Sequence, residues 1–73
     1  MIERQPELEA LDRLGWSAHD LWVATFGYGD VGTFADLTQH LASGNHLGPA
    51  AVACIAAALN DALLDQDDPF RLG

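Results

Sequence analysis

Apolar residues recur along this chain at helical spacing in four stretches, and none alternates with the two-residue period of a strand. Leu8, Leu11 and Leu14, with Glu9, Asp12 and Arg13 between them, predict a first helix over Pro6 to Leu14. Pro6 suits its first position, where a missing N–H costs nothing, and Gly15 ends it. Ser17 with Asp20 three residues on forms a capping box, and Trp16 precedes the cap where it can staple Leu21. That predicts a second helix over about Ala18 to Phe26, with Leu21, Trp22 and Phe26 as candidates for burial and Gly27 as its stop. The run Gly27-Tyr28-Gly29-Asp30-Val31-Gly32 predicts a turn, because three glycines in six residues make a helix costly. No strand precedes it, so it does not read as a phosphate loop.

Thr33 and Asp36 repeat the capping box and open a third helix, which Ser43-Gly44-Asn45 closes. Its stripe is Phe34, Leu37 and Leu41, leaving Ala35, Asp36, Gln39 and His40 outside. Pro49 starts a fourth helix that runs to about Leu64, with Val52, Ile55, Leu59 and Leu63 as the stripe and Ala56 and Ala62 beside it. Ala50, Ala53, Ala57 and Ala58 fill the remaining surface. Alanine is a strong helix former, so the helix reads as a core element, the alternative being a face for self-association. The expected architecture is all-α: one four-helix, helix-turn-helix-like domain with its core over about residues 6–64 and flexible termini. The acidic tail, residues 65–73, reads as a mobile end, or as a docking segment anchored by Phe70.

Charge changes the picture. The 73 residues hold 11 acids against three arginines and no lysine, a net charge of −8. Such a field favours basic partners and repels nucleic acid and anionic membranes. No apolar run approaches the roughly 20 residues of a membrane span. The opening MIERQPELEA lacks the apolar segment of a signal peptide, and the single Cys54 has no internal disulfide partner. The expected location is cytoplasmic, in a bacterial cell or a phage-infected host. His19, His40, His46 and Cys54 lack metal-ligand spacing, and Asp36 with His40 reads as a weak i,i+4 ion pair. A domain this small offers little concave volume for a substrate, so neither catalysis nor a cofactor is expected.

In the order of its pieces, Leu14 to about Leu63 resembles the small helix-turn-helix domains of the Cro/XRE repressor type. The helix LGWSAHDLWVATFG is followed by a turn, a second helix closing on LASG, and the proline-led PAAVACIAAAL. In that family the second helix of the pair enters the major groove. The resemblance would put Ala35, Asp36, Gln39 and His40 against bases and phosphates, with Thr38 and Ser43 at the margin. Gln can read adenine, whereas Asp36 meets phosphate with like charge. The turn is longer than the family's usual one.

DNA binders of this kind neutralise roughly 6–10 phosphates, whereas here Arg4, Arg13 and Arg71 lie near the chain ends. The expectation is therefore regulation by protein binding to a basic surface of the transcription machinery, RNA polymerase or a DNA-binding regulator. In size and charge the chain is also similar to small phage-encoded regulators of host transcription. The alternatives are a Cro-type DNA-binding repressor and a structural module that forms a homodimer. The expected contact residues are Asp36, Gln39 and His40 of the third helix with Tyr28 and Asp30 of the turn. Trp16, Trp22, Phe26, Phe34 and Tyr28 crowd a small core, and any left outside would anchor an interface.

Overall fold

The structure is a computed structural model that describes residues 5–28, 31–44 and 46–72. Four helices follow in order: α1 Pro6–Leu14, α2 Ala18–Thr25, α3 Phe34–Ser43 and α4 Pro49–Asp65, with no strand among the described residues. The local chemistry that predicts them is in place. Pro6 and Pro49 open α1 and α4. Ser17 and Thr33 each accept a backbone N–H bond from the aspartate three residues on, and that aspartate accepts from the cap's own N–H. Gly15 (φ +70°) and Gly44 (φ +88°) end α1 and α3 in the left-handed region that favours glycine.

Gly27 does not end α2 in this way. The helix stops at Thr25, and the Phe26 and Tyr28 amides donate to Val23 and Thr25, tightening the last turn. After α4, Asp67 takes φ +58° and the Asp68 amide donates back to Leu63, which turns the chain toward α1.

α4 is the central element: it packs against α1 and α2, while α2 also packs against α3. Leu21, Leu37, Ile55, Leu59 and Leu63 are fully buried, each contributing about 1.5–3 kcal/mol of transfer free energy. Ala10, Leu11, Val31 and Leu41 complete the centre, with Trp16, Trp22, Leu47, Phe70 and Leu72 against it. The buried face of α4 is Ile55, Ala58, Leu59 and Leu63, so Ala58 takes the place expected of Val52. Ala58 lies three residues after Ile55 and α2 approaches on that side, where a small residue admits close packing.

α3 is rotated from its expected setting. Leu37, His40 and Leu41 are its buried residues, whereas Phe34 is 39% exposed. The cause lies in α1 and its lead-in: the Gln5 side chain donates to the Leu41 carbonyl, and Glu7 faces His40.

The segment after α4 has a defined course. Asn60 both donates to the Leu72 carbonyl (3.1 Å) and accepts from its amide (2.8 Å). Arg13 pairs with Asp68 at 2.9 Å and lies 4.7 Å over the Phe70 ring. Phe70 therefore packs on its own domain.

Candidate protein interface

The structure places the expected contact residues in different surroundings and gathers them into no single patch among the described residues. His40 is not an exposed contact: it is 3% exposed on the inner face of α3. Its Nδ1 accepts from the Leu47 amide, and Nε2 lies 3.7 Å from the Glu7 carboxylate. The ring therefore fastens the α3–α4 connection to α1. Position 40 falls three residues after the buried Leu37, which puts it on the same side of α3.

Asp36 is committed internally. Its Oδ2 caps α3 and its Oδ1 lies 3.0 Å from His46 Nε2, so its partner is His46 rather than His40. The Thr33 amide, then His46, hold its carboxyl below the ordinary range. Gln39 is exposed, with Ala35, Thr38 and Ala42 as exposed neighbours on α3. Asp30 lies outside the described residues.

Tyr28 is the expected contact residue that the fold places best. It is 41% exposed, its hydroxyl donates to Asp61 of α4, and its carbonyl accepts from Cys54 Sγ–H at 3.3 Å. The hydrogen bond to the Asp61 carboxylate pushes the phenol pKa upward.

Tyr28 stands at one end of a shallow furrow made of two hollows that share Trp16 and Ala24. One hollow adds His19, Asp20 and Val23; the other adds Tyr28, Ala58, Asp61, Ala62, Leu64 and Asp65. Asp20 accepts the Ser17 amide and hydroxyl, which holds it ionised below the ordinary carboxylate range.

Beside the furrow, and sharing His19 with it, runs an aromatic ridge. Trp22 meets Phe26 and Phe34 edge-on at 5.1 and 6.1 Å, and His19 meets Phe34 at 6.0 Å. Phe26 is 65% exposed and Val23 51%. α2 buries Leu21 and Thr25 and half-buries Ala18, Trp22 and Ala24 while packing on α4 and α3, and it leaves His19, Asp20 and Val23 exposed. Val23 and Phe26, three residues apart, keep apolar surface in water beside Trp22. The crowding of aromatics resolves as follows: Trp16 and Trp22 are half-buried, whereas Phe26, Tyr28 and Phe34 stay outside.

The furrow's Asp61, Leu64 and Asp65 escape a reading of the sequence alone. They sit at the end of α4, and only its packing on α2 brings them beside Tyr28. The signal open to sequence reasoning was Leu64, an apolar residue outside the α4 stripe. Among the described residues no group of three or more His, Cys, Asp or Glu is placed to hold a metal ion. No described helix is long and apolar enough to cross a membrane. No protein-family model, curated protein or solved structure matches the chain.

Proposed function

We propose that this protein is a small acidic regulator that acts by binding a protein of the transcription machinery, RNA polymerase or a DNA-binding regulator. The observation that carries the reading is the apolar patch of exposed Val23 and Phe26 beside the half-buried Trp22, which no described element covers. Exposed aromatic clusters of this kind mark protein contacts, since contiguous apolar surface is costly to leave in water. The net charge of −8 adds a preference for a cationic partner. DNA is the weaker partner, because the outward face of α3 presents Ala35, Thr38, Gln39 and Ala42 with no positive charge. Regulation would be steric or electrostatic, by occupying a surface that DNA or another subunit otherwise uses.

Affinity capture from nuclease-treated bacterial lysate tests this, with mass spectrometry of the retained proteins. A transcription protein should remain bound to the wild type and be lost with a V23D/F26D double variant. Retention of nuclease-sensitive material alone would refute the proposal.

A further inference from the structure

We infer that the furrow along α2 is the receptor for an arginine-bearing, apolar-anchored segment of the partner. This rests on the protein-binding reading above and adds the chemistry of what is bound. Three observations converge on it.

First, the lining carries three carboxylates, Asp20, Asp61 and Asp65, and no Lys or Arg; His19 is its remaining titratable group besides Tyr28. Asp20 bonds Ser17 and Asp61 bonds Tyr28, and a carboxylate with about four lone-pair sites can accept from a further donor as well. Second, the furrow floor is aromatic and aliphatic: Trp16 and Ala24 at its centre, Val23 at one side, and Leu64, 62% exposed, at the other. Third, Tyr28 and Asp61 are held together, so an aromatic face and an acceptor are already positioned side by side.

A guanidinium suits this combination better than an ammonium. It is planar, stacks on indole or phenol faces, and donates in a fork that fits a carboxylate. The alkyl stem of the arginine and an apolar neighbour would cover Val23 and Leu64. The long-range field selects for positive charge, and the furrow selects among cations by shape.

An NMR titration of the full chain tests the inference. The probe is a blocked amphipathic peptide of alternating leucine and arginine turns, compared with versions carrying lysine or glutamate for arginine. The expected result is a saturable shift of the Trp16 indole N–H and of the Ala24, Tyr28 and Leu64 amides. Affinity should fall from arginine to lysine, and vanish with glutamate. A D61N/D65N variant, which keeps the shape of the furrow, should bind about tenfold more weakly while retaining the wild-type Tm.

Shifts centred on Phe26 and Phe34, equal binding of the glutamate peptide, or unchanged affinity in D61N/D65N would each overturn the furrow assignment. A captured transcription protein that survives D61N/D65N but is lost in F26D/F34D would refute the furrow and leave the protein-binding role standing. Saturable arginine-peptide binding with only nuclease-sensitive capture would refute that role and leave the furrow standing.

Discussion

Replacing His40 by alanine separates a surface histidine from one that holds the fold together. In the wild type the ring is 3% exposed and accepts the Leu47 amide at 3.3 Å. Truncation leaves that N–H without its acceptor, which costs about 1–3 kcal/mol. The vacated ring volume adds about 1–2 kcal/mol, because a packed site relaxes only in part. The expected loss is about 2–5 kcal/mol, against a total stability of roughly 4–11 kcal/mol for a domain of this size. Urea and thermal unfolding followed by circular dichroism would measure it, and Tm should fall by more than about 10 °C. Gln39→Ala, one residue earlier and exposed, is the control and should stay within about 0.5 kcal/mol of wild type. If H40A matches Q39A, His40 belongs to the outward face and the placement of α3 against α1 is wrong.

The remaining predictions concern the backbone, the tail and pH. Gly32→Ala should cost more than about 1 kcal/mol, because φ is +89° and a Cβ would lie 2.6 Å from Asp36 Oδ2. Gly48→Ala, at φ −74° with open space around it, should be neutral or slightly stabilising in the same unfolding assay. Asn60→Ala removes both bonds to Leu72, so the Leu72 amide should lose hydrogen-exchange protection while the core amides keep theirs. Asp20, Asp36 and Asp68 are all held below their ordinary value of 3.8 by backbone amides first, with His46 or Arg13 adding to the last two. Their stabilisation is present above that value and lost as pH falls through the lowered ones. The urea midpoint should therefore fall on acidification below about pH 3.8, and less steeply in a D20N/D36N/D68N variant.

Whatever depends on neighbours within four residues could be read from the sequence. Ser17 with Asp20, Thr33 with Asp36, and the helix-opening prolines announce all four helices because their bonds close locally. The facing of each helix is another matter. His40 turns inward because Leu47 and Glu7 meet it, and neither neighbour is identifiable from the α3 pattern alone. Ala58 is buried beside Trp16 and the α2 residue Ala24, and Val31 is buried although it lies between helices. The candidate interface shows the same division. Tyr28 stands out as an aromatic in a glycine-rich turn, but its neighbours Asp61 and Asp65 are more than thirty residues away in sequence.

The clamp on Arg13 has a consequence for association rates. Its guanidinium bonds Glu9 and Asp68, and Phe70 lies 4.7 Å beneath it. Arg71 likewise turns its guanidinium to the carbonyls of Asp68 and Phe70. With these exposed cations paired to the chain's own acids and carbonyls, the net charge of −8 leaves an approaching cationic molecule facing a predominantly negative surface. Encounter should then be fast at low salt, rising toward roughly 10⁸ M⁻¹s⁻¹ and slowing steeply as salt screens the field. Residence time is a separate quantity, set by the apolar contacts made after arrival. If it binds as proposed, the chain would find its target by charge and keep it by shape, so ionic strength would govern how quickly binding begins more than how long it lasts.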